Sequence, residues 1–461
     1  MEDGSVKIQK DKMLEDSIRG NGKLVGECSV DTNTRSWVVK MEKLLERANP
    51  TVEMARWKQQ SIYQVPMVIK KQTNEDAYQP QFVSLGPLHH GETHLQPMEK
   101  HKRRAVLHMA NRAGKPIQEF VAAISEVAGE LQGAYGELDD KWRGGNTGLF
   151  VEMMVTDGCF LLELIRKYEI LREGKEDYDY APDDPIFSRR SFFTWWSKIR
   201  NDMIAVENQQ PLVVLQRLLT VQRGTSPRAG DINRMVLSLL NRRFEEGMDS
   251  QLGLHFLDLY HSSYCGVHPQ PPHLDYEPRT PCAVELSEAG IQFKNSEVDN
   301  IHAIDFENGV LSMPPLKFHN ETETLYLNLM AFEWLHPDAR DKVVCSYMSF
   351  MDKVIESERD VALLRSNGLL ENMIGSDRKV VKTFNILTKL ARTPGRGSRL
   401  GHVNRMVNDH CRKKRNKWRA IFMNTYLSNP WVFISMVAAV ILLVATLLQT
   451  VYTIVPFYTK G

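Results

Sequence analysis

Apolar residues recur at helical spacing along most of this chain, and in two stretches the polar positions between them almost vanish. The first is LFVEMMVTDGCFLLELI, residues 149–165, apolar on nearly every face, which predicts a helix in the centre of the core. The second is WVFISMVAAVILLVATLL, from Trp431 to Leu448, without a single charge. At about 1.5 Å per residue this run makes a helix of roughly 27 Å, close to the hydrocarbon thickness of a bilayer. Trp431 and Phe433 at one end and Tyr452, Phe457 and Tyr458 at the other are placed as an interfacial aromatic belt. Pro430 suits the first turn, where its missing N–H is no loss. The pattern predicts one membrane span over 430–455 and a short tail, 456–461.

Elsewhere the pattern is that of an amphipathic globule. Residues 1–35 have no period and are expected to form a mobile polar tail. Apolar positions 37, 38, 41, 44, 45 and 48 mark one face of a helix that Asn49-Pro50 ends. Ser61 to Lys70 is β-branched and aromatic, and reads as a short extended segment broken by Pro66. Residues 78–94 are irregular and rich in Pro, Gly and His, and a helix through Met98, Lys102, Ala105 and Met109 follows. Ser191 to Leu219 would run as one helix but for Pro211, with Asn208 expected to cap the second part. A further helix is expected near 232–247. The Pro- and His-rich segment 262–281 reads as a linker between a first helical block, 36–261, and a second, 282–410. In the second block a short helix closed by Gly290 leads to strands within 291–318. Asn320 and Glu323 have the spacing of a capping box before TLYLNLMAFEWL, and helices are expected near 341–357, 359–373 and 377–392. The fold class expected is a predominantly α-helical globular domain with a few short strands, plus one C-terminal transmembrane helix.

Composition changes this picture little: 25% charged and 42% hydrophobic residues over 461 positions describe an ordinary globular chain. The placement of charge matters more. Arg412, Lys413, Lys414, Arg415, Lys417 and Arg419 crowd a basic juxtamembrane segment, 411–429, and only Lys460 follows the span. That asymmetry predicts a single-pass protein of the plasma membrane or an endomembrane, with residues 1–429 in the cytosol. The six cations would also lie on an anionic membrane surface, at about 1 kcal/mol each. A net charge of +1, with the basic run abutting a span, argues against a nucleic-acid partner. The N-terminus has no apolar h-region, so no secretory signal is expected. Six scattered cysteines without a C-x-x-C pair suggest neither a zinc framework nor a disulfide scaffold, and fit a reducing compartment. The sequon at Asn320 would be modified only in the secretory lumen.

Candidate chemistry is sparse. His89, His90 and His94 are the metal-ligand candidates, His90 and His94 having the i, i+4 spacing that could face one ion. Pro87 and Gly91 argue for a loop there, in which hydrogen-bonded histidines are the ordinary reading. On the 149–165 helix Glu152, Thr156, Cys159 and Glu163 share a stripe and Asp157 points away, so the carboxylates must find partners or shift their pKa. Glu152 and Glu163 stand about 16 Å apart, which excludes one catalytic dyad and favours a polar network completed by Arg or Lys from another helix. Asp202, Glu207 and Asn208 invite the same two readings. No phosphate-cradling loop and no nucleophile elbow occurs, so the residues make no positive case for an enzyme or a cofactor.

Several strings together resemble a known family, the plant domain of unknown function 247. They are IYQVP (62–66), the Tyr78-to-Gly91 segment, MEKHKRR (98–104), MMVTDGCFLLELI (153–165), ENQQPLVVL (207–215) and AVELSEAGIQFK (283–294). TETLYLNLMAFEW (322–334), CSYMSFMDKVIESERDVALLRSNGLLEN (345–372) and SNPWVFIS (428–435) complete the set. The resemblance implies a largely helical protein with one C-terminal span and carries no established catalytic residue. It also implies, through some grass members, a link to self-incompatibility. The reading that follows is a membrane-anchored protein of recognition or protein–protein interaction, with a protein partner and without catalysis. The alternatives are an enzyme using the His-containing loop with carboxylates of the 150s helix, and a structural protein at an anionic membrane surface.

Overall fold

A computed structural model describes residues 32–47, 50–245, 247–266, 280–296, 298, 300–337, 339, 342–391, 399–413, 416, 418–419, 421 and 430–459. The chain divides into two compact units, Met1–Trp57 and Lys58–Gly461. In the first, α1 (Thr32–Arg47) is the amphipathic helix that the spacing predicts, and Trp37, Met41 and Leu45 are exposed on it. It begins earlier than expected, so residues 32–35 are helical, and the rest of the expected tail lies outside the described residues. Pro50 opens α2 (Pro50–Gln59) at a first-turn position, where proline is tolerated.

The second unit is built around α7 (Thr147–Arg172), the helix of the 149–165 run. Against it pack α4 (Gln96–Ala113), α5 (Ile117–Ser125), α9 (Leu212–Arg223) and α10 (Ala229–Leu239), while the short α6 (Ala128–Gly133) joins at one end. Phe150, Met154, Phe160, Leu161 and Leu164 of α7 are fully buried. Gly158 lets α9 approach, because a Cβ there would stand 2.6 Å from Leu218 Cδ1 and 2.7 Å from Val214 Cγ1. Then come α8 (Arg189–Ile204) and α11 (Phe256–Cys265), which contact each other.

The later residues add α12 (Ala283–Glu288), a three-stranded sheet and a helical layer. In the sheet β1 (Gln292–Asn295) runs parallel to the central β3 (Val310–Met313), and β2 (Asp305–Glu307) antiparallel to it. Leu311 faces both Phe293 and Phe306 in register. Pro314-Pro315 separates β3 from β4 (Leu316–Phe318), as the two proline positions suggest. The helices α13 (Thr322–Leu335), α14 (Val343–Val354), α15 (Glu358–Ser366), α16 (Asp377–Ala391) and α17 (Arg399–Arg412) close this layer. α13 packs on α8 as well as on α14 and α16, so both helical blocks share one hydrophobic core. Finally α18 (Pro430–Thr459) contains a stretch, Trp431–Tyr452, long and apolar enough to cross a membrane, and no residue of its apolar window is buried.

Several local expectations are overturned. Segment 62–69 is not a strand: only Ile62 pairs, in an isolated bridge to Tyr135, and Pro66 caps α3 (Met67–Gln72). Proline's fixed φ launches a helix there instead of breaking a strand. Asn208 does not cap α9, because Pro211 occupies that position and the Asn208 amide is used elsewhere. Asn320 and Glu323 form no capping box: the helix starts at Thr322, whose hydroxyl accepts from His319 N–H, and Glu323 accepts from Asn74. The helix expected to 247 stops at Leu239, before Asn241 turns to φ +54°. Residues 262–265 of the expected linker belong to α11, and 267–279 lie outside the described residues. The helix expected to 373 ends at Ser366, since β5 (Leu370–Asn372) pairs in parallel with β4.

Candidate functional site

The irregular 78–94 loop is buried over residues 83–87 without a strand ladder, so the backbone N–H groups there need side-chain partners. The end of α8 and the turn to α9 supply them. Asp202 accepts from Gln81, Phe82 and Val83 N–H at 2.9, 2.7 and 2.7 Å. Asn208 Oδ1 accepts from Leu85 N–H at 2.7 Å, and its Nδ2 donates to the carbonyls of Val83 and Asp202. Asp157 of α7 accepts from Gly86 N–H at 2.8 Å and from the Lys102 ammonium at 2.6 Å. Lys102 is fully buried and also meets Glu99. Gly86 is required here: its φ is +75°, and a Cβ would come within 2.6 Å of the Gln209 carbonyl oxygen. Burial pushes the Asp202 carboxyl up to about 6, against the three N–H groups that pull it down.

Glu207 ties the same loop to α3. It accepts from Val65 N–H (2.6 Å), Lys70 Nζ (2.8 Å) and His89 Nε2 (3.2 Å). Burial opposes its ionisation, but these donors hold it below the usual carboxylate range. Burial likewise disfavours charge on His89, and Glu207 and Glu92 outweigh it and raise the imidazole. Both ring nitrogens of His89 are thus engaged with carboxylates. His94 reaches the Pro80 carbonyl, and His90 sits edge-on to Trp142 at 5.4 Å. The three histidines do not converge as a ligand set among the described residues. Glu163 is buried against Arg112 of α4, Arg166 and Tyr180, the network with a neighbouring helix that its position suggests. Glu152 is exposed, and it lines with His90, Glu99 and Arg103 a cavity of about 410 Å³. Of the basic juxtamembrane residues Arg412, Lys413 and Arg419 are exposed, and Lys414, Arg415 and Lys417 lie outside the described residues.

A larger cleft, of about 560 Å³, opens between α8, α11, β4 and α13. That volume suits a small ligand or an inserted side chain. Two guanidinium groups face one tyrosine in it: Arg200 lies 5.8 Å and Arg242 5.2 Å from the Tyr260 ring centre, and Arg242 is 5.1 Å from the Tyr264 ring. Stacking on aromatic faces fixes a guanidinium in orientation, and Arg242 also donates to the Ser263 carbonyl at 3.4 Å. Arg200 Nε is buried with no hydrogen-bond partner among the described residues. Lys317 and His319 stand at the rim, and Glu321 is the acidic side chain in the lining. Tyr264 shares a 2.6 Å hydrogen bond with Tyr326, and burial raises its phenol far above the ordinary value, so it stays protonated. The arrangement can hold an anionic or planar group; it offers no base of ordinary strength on Tyr264. No motif marks these residues. The i, i+4 spacing of Tyr260 and Tyr264 is a local signal, but both arginines come from other segments.

Among the described residues, one helix long and apolar enough to cross a membrane, a buried polar clamp and a cationic aromatic cleft define a helical protein with an apolar C-terminal segment. The sequence of a plant protein family of unknown function, DUF247, matches residues 62–445, and the chain belongs to that family. It is similar to a UPF0481 protein of Arabidopsis thaliana, 28% identical over 420 residues that cover 83% of this chain and 84% of that one. A putative UPF0481 protein of the same plant is 21% identical across 90% of this chain and 93% of its own length. No solved structure matches.

Proposed function

We propose that this is a single-pass, membrane-anchored recognition protein that binds an anionic group of its partner in the Arg200–Arg242 cleft, without catalysis. The observation that carries the reading is the buried Nε of Arg200, without a hydrogen-bond partner among the described residues, beside a second stacked guanidinium. A buried guanidinium N–H without a partner is costly, and an anionic ligand would supply the acceptor. The α18 span and the exposed cations at Arg412, Lys413 and Arg419 support anchoring with the bulk in the cytosol. The recognition or related signalling role implied by the family resemblance is of this binding kind.

The test is proximity labelling with the full-length protein in plant membranes. The wild type and the exposed-surface control Arg378→Ala are expected to label one reproducible set of proteins, which Arg200→Ala loses. No reproducible set, or a set unchanged in Arg200→Ala, overturns the reading. Topology is checked separately at Asn320, which is exposed in the turn before α13: a glycan there would place the bulk in the lumen and refute the charge argument. An enzymatic reading has one observation of its own, the shared cavity of His90, Glu99 and Glu152. Full biological activity in a His90→Ala plant would refute it.

A further inference from the structure

Beside the cleft tyrosines of α11, three unlike donors meet. His261 and Cys265 are one turn apart, and Cys265 Sγ lies 3.3 Å from His261 Nε2. Glu333 of α13 places Oε1 2.8 Å from the same nitrogen. The three donor atoms all lie within 4.8 Å of one another, the sole such group of His, Cys, Asp or Glu among the described residues. Cys345, at the start of α14, meets the same carboxylate through its backbone, its N–H donating to Glu333 Oε2 at 2.9 Å.

The contacts exclude a nucleophilic triad. A thiol–imidazole–carboxylate relay needs the thiol on one ring nitrogen and the carboxylate on the other. Here both meet Nε2. Burial also raises the Cys265 thiol, against the pull of His261. Donors crowded about a single point are instead the arrangement of ligands around an ion.

We infer that His261, Cys265 and Glu333 form a three-ligand site for a zinc-class divalent ion. Imidazole, thiolate and carboxylate suit that ion, and tetrahedral bonds of about 2.0–2.3 Å put ligand atoms roughly 3.3–3.8 Å apart. The 3.3 Å between Cys265 Sγ and His261 Nε2 already lies in that range, and the 2.8 Å between His261 Nε2 and Glu333 Oε1 would open to reach it. The carboxylate is already oriented: Val344 N–H donates to Oε1 at 2.7 Å and Cys345 N–H to Oε2 at 2.9 Å. Each oxygen keeps a second lone pair for the metal, and such outer hydrogen bonds are what fix a ligand's direction. Phe332 packs its ring against His261 at 5.5 Å, an apolar wall. The His261 side chain is 14% exposed, which leaves a path for entry. Binding would expel the proton from the Cys265 thiol and any proton held between His261 and Glu333, leaving thiolate, neutral imidazole and carboxylate on the ion. It would also join α11 and α13 at one point. The inference is independent of the cleft's role.

The test uses the full-length protein in detergent, first as purified and then stripped with a chelator. Metal analysis of the purified protein is expected to find roughly one zinc per chain. Cobalt(II) added to stripped protein is expected to give a thiolate-to-cobalt charge-transfer band, retained in the buried-thiol control Cys159→Ser and lost in Cys265→Ser. Should Cys265→Ser fail to fold, the wild-type band and its displacement by zinc decide the matter. No zinc and no cobalt band in the wild type overturn the inference, as does a band that a folded Cys265→Ser retains.

Discussion

The buried imidazole of His255 makes the fold sensitive to acid, with a size that the structure sets. His255 is fully buried at the N-terminus of α11. Its Nδ1 accepts from Asp258 N–H at 3.2 Å, and its Nε2–H donates to the Ser61 carbonyl at 3.0 Å. Both nitrogens are satisfied in one neutral tautomer, and a proton on Nδ1 would destroy the cap. Burial lowers the imidazole from 6.5 to about 4, with the Asp258 charge and the Ser61 carbonyl only partly opposing. The unfolded chain therefore takes up this proton first. The stabilisation is complete above about pH 6.5 and is lost as pH falls toward about 4, roughly 3 kcal/mol in all and about 2 kcal/mol by about pH 5. The assay is urea denaturation of the full-length protein in detergent, at about pH 7.5 and about pH 5, for wild type and His255→Asn. Asparagine can still cap and cannot titrate. His89 and His261, both raised, titrate alike in the two proteins and cancel in the comparison. The wild type should lose about 2 kcal/mol more than the variant on acidification. Equal losses would refute the assignment.

Two other substitutions probe the clamp and the core. Glu207→Gln leaves the buried Lys70 without its counter-charge and His89 with Glu92 alone, and should cost about 3–5 kcal/mol in urea denaturation; a cost below about 1 kcal/mol would show that the clamp holds the loop by its backbone bonds alone. Gly158→Ala drives a methyl into Val214 and Leu218 and should destabilise by about 1–3 kcal/mol. An unchanged melting temperature would mean that α7 and α9 do not meet as closely as described.

Periodicity and apolar length are local properties, and what depends on them was legible in the chain. The 149–165 run is the central helix because nothing but a packed interior satisfies a helix apolar on all sides. The 431–448 run is a helix long and apolar enough for a bilayer by the same reasoning. Gly290 closing a short helix, and Pro314-Pro315 parting two strands, are equally local and stand as expected.

Partners were decided only in three dimensions. Asn208 has the composition of a helix cap, but the buried loop of residues 81–86 has unpaired backbone groups, and satisfying them outweighs a cap that Pro211 does without. The Asn320/Glu323 spacing promised a capping box, and Glu323 went to Asn74 of a distant segment. Pro66 could break a strand or start a helix, and its environment chose the helix. The same holds for the sites. No spacing links Arg200 to Arg242, or His261 and Cys265 to Glu333. Periodicity tells which face of a helix turns inward, whereas a binding site depends on which other helix that face meets, and that is settled by packing the whole core.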